Sequence, residues 1–332
     1  MIFPSMGVMF ALGGSLMYKS VERSAEDAVI GRLRRLLPAL WLFGALLVPV
    51  MIWAGWAGRP EWTSFLLWLL PVVEPPSAPW AEPVTGVLWY LVAYLWLVLL
   101  SPLLLRLYRR ARLIAVAGPL VVLAAWEYLP PLVGEALGSA ITDVLTFAAC
   151  WLVGFAHRAG DLRKVRLAIL LPVAVAAVGA GSAWTVTHPG EDGLDLAASP
   201  LAYGVYSLGF TLVLLRVAPS TAWLNDRRTL NGLVNLCNAR AVTIYLWHNV
   251  AITLCFEAGR FIPMERLGSR LEMAGYCGVA LVLLAVFVVL LGWVEDLAAR
   301  RSIAFLPWTV APQTRPRPAT SNWAGPPAWW RP

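Results

Sequence analysis

"WTSFLLWLLPVV" (residues 62–73), followed by "EPPSAPWAEP" (74–83), decides how many times this chain crosses a membrane. A spanning helix needs about 20 apolar residues to cross about 30 Å of hydrocarbon. This run is shorter and is broken by Pro71, so it is expected to be interfacial or re-entrant. With it set aside, apolar spans remain near 2–17, 36–56, 86–105, 113–133, 139–157, 167–186, 198–217, 240–258 and 274–294. Charge supports the same count. If 62–73 stays on one side, the clusters "RLRR" (32–35), "RLYRRAR" (106–112), "HRAGDLRKVR" (157–166), "NDRR" (225–228) and "ARR" (299–301) share one face with the tail. The opposite face then holds only Arg59, Arg260, Arg266 and Arg270 of the 26 Lys and Arg, as the positive-inside rule requires. If 62–73 crossed, "RLRR" and "RLYRRAR" would lie on opposite faces.

Composition points to the same class. The 332 residues are 59% hydrophobic and 14% charged, with mean hydropathy +0.69, against roughly a quarter charged in soluble domains. This is an all-α, polytopic integral membrane protein of about nine transmembrane helices, expected in the cell membrane with its C-terminus cytoplasmic. The apolar runs are continuous rather than alternating, which excludes a β-barrel. The formal charge of +7 is accounted for by topology, so no nucleic-acid partner is expected. Only two basic residues are lysines, Lys19 and Lys164, and with abundant Ala, Gly, Pro and Trp this points to a GC-rich bacterial genome. Cys150, Cys237, Cys255 and Cys277 form no CxxC pair, and free, buried thiols are the default. The N-terminus is apolar from its first residue, with no charged region before the run, and reads as a membrane helix rather than a signal peptide. The chain divides into a membrane domain, 1–301, and a Pro-rich cytoplasmic tail, 302–332, expected to be disordered. There is no repeat, phosphate loop or metal-ligand spacing, and no permanently bound cofactor is expected.

Ionisable groups in a bilayer are costly, by about 2.5–3.5 kcal/mol on insertion scales, and face the protein interior. In "TIYLWHNVAIT" (243–253), Tyr245, His248 and Asn249 share a helix face with Ala241 and Ile252. His248 there serves either as a general base or proton relay, with Tyr245 and Asn249 setting its tautomer or binding a hydroxyl, or as an interhelical hydrogen-bonding group. Asp143 and Glu127 lie near outer helix ends, where snorkelling is the alternative to a role. His157 ends the fifth span among cations, and His188 reads as solvated. Arg32, Arg34 and Arg35 enter the second span. Arg32 and Arg35 can point the same way, suited to a phosphate-bearing donor such as coenzyme A, though topology explains the cluster equally well. Tyr94 sits deep enough either to pack in the core or to line a cavity.

Several stretches together resemble the acyltransferase 3 family of bacterial integral-membrane acyltransferases. They are "MFALGGSLMYKS", "RLRRLLPALWLFG", "LWYLVAYLWLVLLSPLLLRL", "WLVGFAHRAGDL", "NARAVTIYLWHNVAI" and "VEDLAARR", in family order over about 1–301. The resemblance implies a ten-helix domain that transfers acetyl or other acyl groups, usually from acyl-CoA, to hydroxyls of surface glycans of the cell envelope, lipids, glycosylated metabolites or antibiotics. It matches Arg32, Arg34 and Arg35 to the family's basic stretch and His248 to the histidine of its "YLWH" helix. The family's first helix, with an Arg and a His some ten residues apart, has no counterpart here. The expectation is that the reading frame continues upstream of Met1, which would also anchor the first helix. The alternatives are a truncated inactive copy, a transporter or acyl-group conduit, and a non-catalytic scaffold. Membrane lipid, acyl-CoA and a hydroxyl-bearing acceptor are the partners implied.

The topology is open to direct measurement. In a cysteine-free background labelled in intact cells with an impermeant maleimide, Cys at Arg59 or His188 should label and Cys at Arg110 or Lys164 should not. Labelling at both Arg59 and Arg110 would mean that 62–73 crosses.

Overall fold

The computed structural model describes residues 4–189, 193–218, 223, 227–259 and 269–301. Within them the chain forms α1 (Ser5–Arg23), α2 (Ala25–Trp53), a 3-10 helix (Trp62–Trp68), α3 (Glu82–Thr85), α4 (Leu88–Arg110), α5 (Arg112–Tyr128), α6 (Glu135–Ala159) and α7 (Asp161–Lys164). It continues with α8 (Leu167–Thr187), α9 (Pro200–Val217), α10 (Arg228–Ala239), α11 (Ala241–Gly259), α12 (Ser269–Leu291) and α13 (Trp293–Ala298). A long helix stands at each of the nine expected spans, and seven of these, among the described residues, are long and apolar enough to cross a membrane. α5 misses that measure by its 17-residue length. The tail 302–332, Arg260 and Arg266 lie outside the described residues, as does the side chain of Arg270.

Local sequence sets the helix boundaries. Ser24 ends α1 and caps α2, its hydroxyl accepting from the Asp27 N–H at 3.3 Å, with Glu26 and Asp27 in the first turn where carboxylates suit the helix dipole. Gly160 closes α6 with a left-handed φ of 77°, which only glycine adopts without cost, and the chain turns at once into α7. Asp161 then ties two turns together. It accepts from Tyr108 Oη at 3.0 Å and pairs with Lys164 at 2.9 Å and Arg112 at 3.3 Å. Partial burial would lift its carboxyl, but these donors outweigh burial and hold it below the usual carboxylate range.

Residues 62–73 do not cross. They form a short 3-10 helix and an irregular return whose carbonyls are met by side-chain donors. Trp41 Nε1 donates to Leu69 O at 2.8 Å, Trp96 Nε1 to Val72 O at 2.8 Å, and Trp68 Nε1 to Pro76 O at 3.2 Å. At about 1.5 Å of rise per residue, Trp96 lies about 12 Å along α4 from its start and Trp41 about 18 Å back from the end of α2. The segment therefore enters the bundle and leaves by the same face, as a re-entrant segment must. The Glu22–Arg109 ion pair, 2.7 Å, joins the α1–α2 turn to the basic end of α4, so the basic clusters at 32–35 and 106–112 share one end of the bundle.

Two apolar cores result. One is built by α1, α4 and α6 around Phe10, Leu97, Phe147, Trp151 and Phe155. The other is built by α2, the re-entrant segment and α11 around Leu40, Phe43, Met51, Trp68 and Leu246. α1 and α6 make the most extensive helix pairing, and it depends on backbone proximity. A Cβ on Gly14 would overlap the Trp151 carbonyl, and one on Gly154 would overlap the Ala11 carbonyl. α10 was not anticipated; its Leu230, Leu233 and Val234 form one exposed apolar stripe, the form of an interfacial helix. All four cysteines are free, but only Cys150 and Cys255 are buried; Cys237 and Cys277 are exposed, so half of the expectation of buried thiols is corrected.

The α1–α6 contact carries a stability prediction. Gly154→Ala should destabilise by about 1–3 kcal/mol through overpacking, read as a lower melting temperature in detergent. Gly118→Ala, where a Cβ meets nothing within 4 Å, should be neutral or stabilising. Equal melting of the two variants would contradict the close approach.

Candidate functional site

At the basic end, α2 presents Arg32 and Arg35 to two adjoining pockets. The larger, about 410 Å³, is bounded by the α1–α2 turn, with Ser20, Arg23, Ser24 and Asp27 in its wall. The smaller, about 170 Å³, is closed by Asn238 before α11 and by Glu295 and Arg301 around α13. Tyr94 belongs to it as well, so of the two roles open to that residue the structure supplies both: Tyr94 lines a cavity and packs edge-on against Trp151 at 5.5 Å and 75°. Arg34 lines neither pocket. Two residues on from Arg32 is about 200° around a helix, so Arg34 points away.

α11 runs antiparallel beside α4, and its polar stripe faces the end of the re-entrant segment. Tyr245 Oη donates to Val87 O, and Asn249 Nδ2 donates to Pro83 O at 2.9 Å. Both side chains thus brace the α3 turn. Ile252, on the same stripe, is exposed. His248 Nδ1 lies 2.6 Å from the Tyr245 carbonyl. A carbonyl only accepts, so Nδ1 carries the hydrogen and a neutral imidazole keeps its lone pair on Nε2, the form a general base needs. The tautomer is therefore set by the Tyr245 backbone rather than its hydroxyl.

A column of rings joins the two places. Tyr94 stacks on Tyr90 at 6.1 Å and 27°, Tyr90 meets Tyr245 at 5.1 Å, and Tyr245 meets His248 at 6.0 Å. Tyr90 and Tyr94 pack on the first core and Tyr245 on the second, so the column follows the seam between them. Spacing alone could not connect α4 with α11, and Tyr90 was not among the candidate site residues.

The remaining candidates fall elsewhere. Asp143 is half-buried in α6, within electrostatic range of Glu74, whose field also reaches Tyr245. His157 Nδ1 is 3.2 Å from Ser15 Oγ at the basic end, and His157 lines neither pocket. Glu127 is exposed and accepts from the Leu201 N–H at 3.2 Å, meeting a free donor of the first turn of α9. His188 is exposed and stacks on Trp184 at 4.1 Å.

α13 is bolted to the start of α11 beside the smaller pocket. Arg240 Nη2 pairs with Asp296 at 2.7 Å, and its Nη1 donates to Gly292 O at 2.6 Å, with both side chains nearly inaccessible. Removing either partner of such a pair strands a buried charge, typically at about 3–5 kcal/mol. Glu295 accepts from the Thr243 N–H at 2.7 Å and its hydroxyl at 2.5 Å. Burial pushes the Glu295 carboxyl up, against the pull of the Thr243 donors and Arg240. Arg240, Glu295, Asp296 and Arg301 were read in the sequence only as topology signals or family matches, because nothing local pairs residues more than fifty apart.

A family model described as an acyltransferase domain, acyltransferase 3, matches residues 1–293. No curated protein and no solved structure gives a match.

Proposed function

The chain belongs to the acyltransferase 3 family and is a membrane acyltransferase, and on that premise we propose that it moves an acyl group, with acetyl expected, from acyl-CoA to a hydroxyl of a glycan, lipid or glycosylated metabolite. The observation that carries this reading is the ring column from the Arg32 and Arg35 pockets to the imidazole of His248. A donor with a polyanionic head and a slender thioester arm suits a guanidinium-lined mouth that narrows toward an aromatic seam. Arg32 and Arg35 hold the phosphates at the cytoplasmic face. Arg34, pointing away from both pockets, serves topology.

In the proposed reaction, Nε2 of His248 takes the proton of the acceptor hydroxyl as its oxygen attacks the thioester carbonyl. The carbon–sulfur bond breaks, the coenzyme A sulfur leaves, and the imidazolium returns the proton to it, so ester and free thiol are the products. The developing oxyanion needs a donor. The hydroxyl hydrogen of Tyr245 is committed to Val87, whereas the Asn249 amide has a second N–H beyond the one given to Pro83, so Asn249 is the better candidate. Tyr245 acts as a positioning residue that holds α11 in register.

Membranes containing the full chain should consume labelled acetyl-CoA only when acceptor is present. His248→Gln at equal expression should lower turnover by about 10²- to 10⁴-fold. Arg32→Ala and Arg35→Ala should chiefly raise KM for the donor, and Arg34→Ala should change little. Wild-type turnover in His248→Gln would make the histidine a bundle-packing group. Transport of the acyl group without consumption of the thioester would favour the conduit alternative.

A further inference from the structure

We propose that Arg301 completes the donor site, forming with Arg32 and Arg35 a cradle of three guanidiniums for the phosphates of the acyl-CoA. This rests on the acyl-CoA reading above and extends it to a residue that the basic stretch of α2 does not include. Arg301 lies 266 positions beyond Arg35, yet the two line the same pocket of about 170 Å³. Arg35 stands in the field of both Arg32 and Arg301. None of the three makes an ion pair among the described residues. The carboxylate in that pocket, Glu295, already accepts two hydrogen bonds from Thr243. In the adjoining larger pocket, Asp27 faces Arg23 as well as Arg32 and Arg35. Three like charges facing one small cavity repel one another, and a bound polyanion removes that repulsion. Planar guanidiniums also match phosphate oxygens in pairs.

The backbone turns Arg301 into the cavity. After α13, Arg300 takes a left-handed φ of 53°, disfavoured for a residue with a Cβ. The Arg300 N–H reaches Leu297 O at 3.1 Å and the Arg301 N–H reaches Asp296 O at 2.8 Å, a pair of bonds that ends the helix and takes Arg301 out of its line. The helix before the turn cannot drift, because Asp296 is bound to Arg240 and Glu295 to Thr243. α13 is thus a bracket fixed on α11 that carries a cation back to α2.

The test needs no acceptor. Full-length protein in detergent is titrated with coenzyme A by equilibrium dialysis, as wild type, Arg301→Ala and Arg301→Lys, with melting temperature recorded for each. Arg301→Ala should weaken binding by about 10- to 100-fold, the loss of a hydrogen-bonded charge contact, with melting unchanged, and Arg301→Lys should recover part of it. Pantetheine, which lacks phosphate, should compete equally well against all three. Unchanged coenzyme A affinity in Arg301→Ala while the wild type binds would overturn this inference alone. So would a loss that tracks a lower melting temperature and is not recovered by Lys. A wild type that binds no coenzyme A would overturn the donor reading together with it.

Discussion

Backbone carbonyls inside a bilayer must be satisfied by protein, and in this molecule that constraint is concentrated on one stretch of chain, residues 69–87. Trp41 from α2, Trp96 from α4, Tyr245 and Asn249 from α11 and Trp68 from the 3-10 helix just before it all donate to its carbonyls. Each bond removes a desolvation cost of several kcal/mol that an orphan carbonyl would carry in hydrocarbon. Because the donors come from three long helices, meeting the need also draws those helices together. Indole suits the task, since its apolar body packs in the core while its single N–H reaches a backbone oxygen.

The position of the imidazole follows from the same bonds. Tyr245 and Asn249 fix the rotation of α11 about its axis, which brings His248 to the seam between the two cores, next to the ring column of α4. Aromatic rings suit such a seam because they fill space as core residues do, while tolerating a polar atom at the edge. At its basic end Tyr94 borders the pocket that Arg32 and Arg35 line, and at the other end Tyr245 and Asn249 are hydrogen-bonded to the chain around the α3 turn.

At the basic end, the buried pair of Arg240 and Asp296 performs a related task. A buried ion pair is weak evidence for stability, because desolvation offsets its attraction. It does specify geometry, since the guanidinium accepts few alternatives once it also donates to Gly292 O. The short helix α13 gains an orientation that its length could not otherwise secure, and with it Glu295 and Arg301 come to border the pocket.

By itself, the sequence determined the class of the molecule and its helices, because both depend on local quantities. The length of an apolar run decides whether it spans, so the nine long helices stand where the runs are, and the brevity and proline of 62–73 exclude a crossing. The side-by-side placement of Arg32 with Arg35, and of Tyr245 with His248 and Asn249, was legible because a helix repeats every 3.6 residues. Family membership was legible as well, from short stretches in a fixed order. Only the tertiary structure gave Tyr94 a cavity, joined Tyr90 to Tyr245 and brought Arg301 to Arg35. Those relations hold between residues tens to hundreds of positions apart. They depend on which helices pack together and how each is turned, and helical periodicity carries no information about either until the carbonyls of the re-entrant segment and the buried charges of α11 and α13 have found their partners.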